Sequence, residues 1–308
     1  MPSSRTAYKI ETIARVNAVV GEGPVWDPKT QCLYWTDIRT GRMFRYTPST
    51  NEHVQIHSGH FVGGLAVNKS GGLTLGTWEG VMLWRSDQDW KWLHHEPPTA
   101  DKPSIYQFND CKAGPDGSFF AGSFFDNDPN GKLYRFRPTG QVEVVAERIG
   151  CNNGMGFSTD LRVFYHTDSF TRTIYKHDYH PRTHTISGRR KFITLPNSEG
   201  VPDGMTVDAE DHVWTATWGG GCVIRFDPDG KEERRIRFPA TQASSAMFGG
   251  NDFRDLYVTS AGMGAGSAPS GLEPKGYDFG AHRGGELYRV RPEIKGKPEF
   301  ETDFAWPK

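Results

Sequence analysis

Apolar and polar residues alternate with a period of two in short runs along the chain, as in Tyr134-Arg135-Phe136-Arg137 and Val223-Ile224-Arg225-Phe226. Gly, Asn and Asp interrupt the runs every 8–12 residues. Two-sided segments broken that often cannot continue as helices, so the chain reads as many short strands joined by tight turns. The strands recur in a larger unit. One copy reads Gly23-Pro24-Val25-Trp26-Asp27, then Leu33-Tyr34-Trp35-Thr36-Asp37, then Met43-Phe44-Arg45-Tyr46. Another reads Gly154-Met155-Gly156-Phe157, then Val163-Phe164-Tyr165-His166-Thr167-Asp168, then Thr173-Ile174-Tyr175-Lys176. Anchored on Gly23, Gly64, Asp110, Gly154, Gly204 and Ala246, successive units are spaced by 41, 46, 44, 50 and 42 residues. A unit of that length with three or four strands is a propeller blade, a small twisted sheet that buries its faces only against its neighbours. Six units predict an all-β, six-bladed β-propeller, with residues 1–308 forming a single domain. A closed ring leaves no open edge, so the strand-like segment at 9–16 is expected to pair in the last blade. The run Gly262–Gly271 reads as a long loop between strands of that blade.

Composition narrows the picture. The 36 Gly and 20 Pro are accompanied by 19 Phe, 11 Tyr and 9 Trp, which places the chain among turn-rich folded proteins rather than disordered ones. With 36 Lys+Arg against 37 Asp+Glu, the net charge of -1 supplies no excess of cations for nucleic acid or an anionic membrane. Four scattered cysteines fit a reducing compartment, and no apolar run approaches the ~18 residues that a membrane span needs. A cytoplasmic location is the expectation. No sequence signal sets an oligomeric state.

Four segments carry chemistry that the repeat does not require. Glu22 sits in Gly21-Glu22-Gly23-Pro24, Asn109-Asp110 follow Tyr106-Gln107-Phe108, Asn152-Asn153-Gly154 open the fourth unit, and Asp203-Gly204 open the fifth. Radial symmetry would bring these equivalent positions together on the axis. Asn and Asp before Gly are also ordinary turn residues, and Asp27, Asn68, Asp160, Asp208 and Asp227 are read that way. Glu is a poor turn former, however, and a carboxylate among Gly, Pro and Val needs a partner to balance its desolvation. Two converging carboxylates with amide oxygens would form an all-oxygen set suited to a hard divalent cation, Ca²⁺ first, then Mg²⁺ or Mn²⁺. His53, His57, His94, His95, His177, His180 and His184 fall in polar, loop-like stretches without ligand spacing, and His166 reads as a strand histidine. Cys111 and Cys151 read as small buried side chains close to the channel. No Gly-x-Ser-x-Gly elbow supports a serine esterase.

These segments resemble a known family. Gly21-Glu22-Gly23-Pro24-Val25-Trp26, Phe108-Asn109-Asp110 with Pro115-Asp116-Gly117, Asn153-Gly154, Pro202-Asp203-Gly204-Met205 with Asp208, and Phe248-Gly249-Gly250 with Leu256-Tyr257-Val258-Thr259 stand in register over about 240 residues. In that order they are similar to the SMP-30/gluconolactonase/luciferin-regenerating family. The resemblance implies a six-bladed propeller with one divalent metal in the central channel, on Glu22, Asn153 and Asp203. Zn²⁺ and Fe²⁺ join Ca²⁺, Mg²⁺ and Mn²⁺ as candidates. It also implies hydrolysis of a sugar lactone, with Asp203 as general base and Asn109 orienting the substrate. Where many family members carry Arg two residues before that Asn, this chain has Gln107, a neutral amide in place of a cationic fork. The resemblance places the segment 124–131, with Asn127, over the pocket. Two other readings remain open from the residues. One is a binding propeller, because Tyr34-Trp35-Thr36-Asp37 is a YWTD element. The other is a metal-dependent hydrolase of a different lactone or ester.

Overall fold

A computed structural model describes residues 8–101, 104–125, 129–262 and 284–306. Among them, 24 strands form six four-stranded antiparallel sheets arranged as blades around a central channel. The inner strands are Gly21–Asp27, Val62–Val67, Phe108–Ala113, Asn152–Phe157, Val201–Val207 and Ala243–Gly249, and each contains one of the six repeat anchors. In blades 1 to 5 four consecutive strands run outward from the channel. In blade 6 the strand order is Ala243–Gly249, Asp255–Ser260, Glu286–Val290 and, outermost, Glu11–Arg15 from the start of the chain. Glu11 stands opposite Arg289 in that last pairing, and the Arg289 guanidinium donates to its carboxylate at 2.6 and 3.1 Å.

Inner strands are enclosed on both faces, so they are built from small and apolar residues and are almost wholly buried. Outer strands alternate toward solvent, as in Val142–Ile149. The core lies between blades. Trp26 of blade 1 stacks on Tyr257 of blade 6 at 6.0 Å, and Trp214 of blade 5 meets Phe248 of blade 6 edge-on at 5.5 Å. Seven histidines were expected in loops. His53, His57, His94, His95, His177 and His180 instead lie on third and outer strands, where His57 and His177 are buried and the others reach solvent.

One irregularity recurs in every blade. The pairing of the inner strand with the second strand shifts register between Glu22 and Val25, Val62 and Gly64, Phe108 and Asp110, Asn153 and Met155, Pro202 and Met205, and Ala243 and Ser245. A β-bulge bends the strand and re-aims the side chain at the break. The Asn-Gly and Asp-Gly pairs at the blade openings are therefore bulges inside strands, not turns. Their glycines permit close approach of neighbouring inner strands: a Cβ on Gly154 would lie 2.5 Å from the Asp203 carbonyl oxygen, and one on Gly63 would lie 1.9 Å from that of Phe108.

The far end of the channel is covered by the tail. Residues 294–306 cross beneath the blades, with backbone bonds from Gly296 to Phe253, from Ala209 to Lys295, from Thr302 to Val67 and from Asp303 to Gly117. Glu299 reaches the axis, where it accepts from Lys112 Nζ at 3.1 Å and Thr206 Oγ1 at 2.9 Å.

Candidate active site

A cavity of about 600 Å³ opens at the other end of the channel. Glu22, Gln107, Asn109, Asn153 and Asp203 all line it, brought there from blades 1, 3, 4 and 5 by the inner-strand bulges. Asn127 lies outside the described residues. Glu22, Asn153 and Asp203 are 6, 5 and 4% exposed, so two carboxylates share a nearly dry floor.

The polar partners fix the orientation of each group. Glu22 Oε2 accepts from Gly23 N at 3.0 Å. Asn109 Nδ2 donates to Asn152 O and to Asn153 Oδ1, both at 2.8 Å. Asn153 Nδ2 then donates to Ser169 Oγ at 2.8 Å, and Ser169 Oγ donates to the Pro202 carbonyl at 2.7 Å. This chain of bonds links blades 3, 4 and 5 and ends one residue before Asp203. Asp203 Oδ1 is buried and has no hydrogen-bond partner among the described residues. Burial first, then repulsion from Asp203 and Asp110, raises the Glu22 carboxyl well above its ordinary value. Burial and then Asp110 do the same to Asp203. Asp110, below them, is pushed up to about 6 by burial. Burial and the nearby carboxylates also push the Cys151 thiol well up, so it faces the cavity as a neutral group.

Among the described residues the carboxylates thus have no counter-charge beside them, and the orphaned Asp203 oxygen has no donor. A hard cation would meet both deficits, since it takes oxygen ligands and favours ionised carboxylates. Among the described residues no three His, Cys, Asp or Glu side chains gather as a metal-holding group. The donor set on this floor is two carboxylates and an amide oxygen.

The description SMP-30/Gluconolactonase/LRE-like region matches residues 20–262. The chain belongs to this family. A pentonolactonase, XacC of Haloferax volcanii, is 38% identical over 296 residues, covering 95% of this chain and 98% of that protein. Regucalcin of Danio rerio is 32% identical over 275 residues, 88% of this chain and 92% of its own. A solved luciferin-regenerating enzyme superposes with a TM-score of 0.81 at 26% identity, covering 96% of this chain and all of that one.

Within this member of the SMP-30/gluconolactonase family, several lining residues had escaped the sequence reading. Ser169 and Arg172 follow the second strand of blade 4, and Arg39 follows that of blade 1. Trp78, Phe170 and Trp218 stand at the corresponding place in blades 2, 4 and 5, and Phe124, the first residue of the segment expected over the pocket, does so in blade 3. The signal for them is positional: each falls within four residues of the end of a second strand. Glu22, Asn109, Asn153 and Asp203 were visible because their polarity conflicts with a strand core. An aromatic at a strand end carries no such conflict.

Proposed function

We propose that this protein is a divalent-metal-dependent hydrolase that opens a sugar lactone to its aldonic acid. The family and the pentonolactonase relative make it a lactone-hydrolysing enzyme of the carboxylic ester hydrolase class. The observation that carries the finer reading is the pair of buried carboxylates, Glu22 and Asp203, facing one cavity with an Asp203 oxygen unsatisfied. Glu22, Asn153 and Asp203 would hold the ion, for which Ca²⁺ is the first candidate. When bound, it would supply charge to polarise the lactone carbonyl.

Asn109 donates within the floor and has its amide oxygen left for a sugar hydroxyl, so its task is orientation. Gln107 stands beside it with a neutral amide that donates and accepts. Asp203 has two carboxylate oxygens, so while the buried, unsatisfied Oδ1 would face the ion, the other would accept a proton from the water that adds to the carbonyl carbon. The ring C–O bond then breaks, the leaving oxygen takes up that proton, and the products sum to lactone plus water. Near-complete burial of Asp203 limits competing solvent around this exchange.

The test is proton release on a panel of pentono- and hexonolactones with each divalent ion and with chelator, for wild type and Asp203→Asn of verified metal content. Chelation is expected to abolish turnover, and Asp203→Asn to lower kcat by roughly 10²–10⁴ with KM changed much less. Full activity in chelator refutes the metal requirement. An unchanged kcat in metal-replete Asp203→Asn removes the base.

A further inference from the structure

The mouth of the cavity is ringed by aromatic side chains at one repeated position. Trp78, Phe124, Phe170 and Trp218 stand at or just past the end of the second strand in four consecutive blades, and all four line the cavity. Phe170 is 55% exposed and meets Phe124 edge-on at 5.8 Å. Phe61, 41% exposed, stacks on Trp78 at 4.7 Å. Trp78, Phe124 and Trp218 are half-buried, and partly exposed rings gathered on one rim are costly in water unless a ligand covers them.

Hydrogen bonds close the turns that carry the rings. A hydroxyl at the end of the second strand bonds across each turn: Thr77 Oγ1 to Gly80 O at 3.1 Å, Ser123 Oγ to Lys132 O at 3.2 Å, and Thr217 Oγ1 to Cys222 O at 2.8 Å. In blade 4 the turn closes through Arg172 N to Ser169 O at 3.0 Å. Planar donors lie between the rings. Arg39 holds its guanidinium 5.7 Å from the Trp78 ring centre. Arg172 uses Nε and Nη2 on the carbonyls of Leu195, Pro196 and Gly200, which leaves Nη1 facing no protein acceptor among the described residues. Gln107 adds an amide.

We propose that this rim is a second sugar-binding subsite, so that the preferred substrate is the lactone of a disaccharide-derived aldonic acid. The inference rests on the lactonase reading for what happens on the floor and extends it to what lies above. One lactone ring over Glu22 and Asp203 leaves most of a cavity of about 600 Å³ unfilled, whereas pockets of this size bury larger ligands. The axial C–H faces of a second pyranose match flat aromatic rings, and its hydroxyls match guanidinium and amide donors. An alkyl chain would cover the rings but offer no acceptor to Arg39, to Gln107 or to Nη1 of Arg172. The covalent step is unchanged.

Two measurements separate the rim from the chemistry. The first is kcat/KM for glucono-1,5-lactone, cellobiono-1,5-lactone and an alkyl-substituted lactone, in wild type, Phe170→Ala and Trp218→Ala. Wild type is expected to favour the disaccharide lactone, and each variant to reduce that preference by roughly five- to tenfold. A preference for the single-ring or the alkyl lactone overturns the proposal, as does an equal loss on both sugar lactones. The second is calorimetric binding of cellobionate and gluconate to the same proteins, which requires no turnover. Tighter cellobionate binding that weakens in the variants supports the subsite even if neither lactone is opened, an outcome that would refute only the lactonase reading. Equal affinity for the two acids overturns it.

Discussion

Asn153 is held in one orientation because both ends of its amide are occupied, Oδ1 by Asn109 and Nδ2 by Ser169. Ser169 in turn spends its proton on the Pro202 carbonyl, which ties the amide to the strand that carries Asp203. A hydroxyl that neither touches the reacting atoms nor lies in a sequence motif thus decides which amide atom faces the floor. Partners of this kind change metal affinity by about 10- to 100-fold in sites where they have been removed. Ser169→Ala is therefore expected to weaken divalent-ion binding about tenfold by calorimetry while the melting temperature moves little, and Ser169→Thr to restore it. Unchanged affinity in Ser169→Ala would show that Asn153 is oriented without it. The candidate floor residues were legible in the sequence because Glu22, Asn153 and Asp203 are polar where a strand core should be apolar. Ser169 was not, since a serine after Asp168 in a turn is what turn chemistry alone would select.

Each inner strand combines a bulge with one or more small residues, and the bulge governs where the functional side chains point. Gly154 shows the constraint: its missing Cβ would stand 2.5 Å from Asp203 O and 3.0 Å from Met205 N, both backbone atoms of the next blade. No side-chain rotation relieves that overlap. Gly154→Ala is expected to cost about 1–3 kcal/mol, read as a lower urea midpoint, and an unchanged midpoint would show that the blades separate freely there. The repeat spacing made the six blades countable, but the bulges were not legible, because Asn-Gly and Asp-Gly serve equally in ordinary turns. Farther out in blade 4, His177 is buried on its strand with Nε2 unpaired among the described residues, and burial followed by Arg189 and Arg190 pushes its imidazole down to about 4. The unfolded chain, with a histidine near ~6.5, binds more protons between these values, so stability is full above about 6.5 and falls as pH drops toward 4. The loss amounts to roughly 3 kcal/mol. Urea unfolding at intervals from pH 4 to 7 should give a shallower slope for His177→Gln than for wild type, and identical slopes would exclude the residue as a source.

The ring is held together at two levels. Glu11–Arg15 completes the sixth sheet at its outer edge, while the tail at 294–306 bonds to blades 2, 3, 5 and 6 from below. Glu299 makes this tail part of the channel, because it pairs with a Lys112 side chain that is only 10% exposed and that rises from the strand carrying Asn109. Lys112 first among the nearby charges, and then Lys297, hold the Glu299 carboxyl below its usual range against its burial. The pair's contribution is therefore full at neutral pH and is lost as pH falls through the acid range. Removing one partner leaves the other charge buried and uncompensated, which costs about 3–5 kcal/mol, whereas replacing both with apolar groups is close to neutral. Glu299→Gln is thus expected to lower the urea midpoint strongly without changing the slope of the transition, and Lys112→Met combined with Glu299→Leu to recover most of the loss. Equal stability of wild type and Glu299→Gln would mean that solvent reaches Lys112 from beneath. In that case the tail would not seal the channel, and the dry floor on which the raised Glu22 and Asp203 carboxyls depend would need another closure.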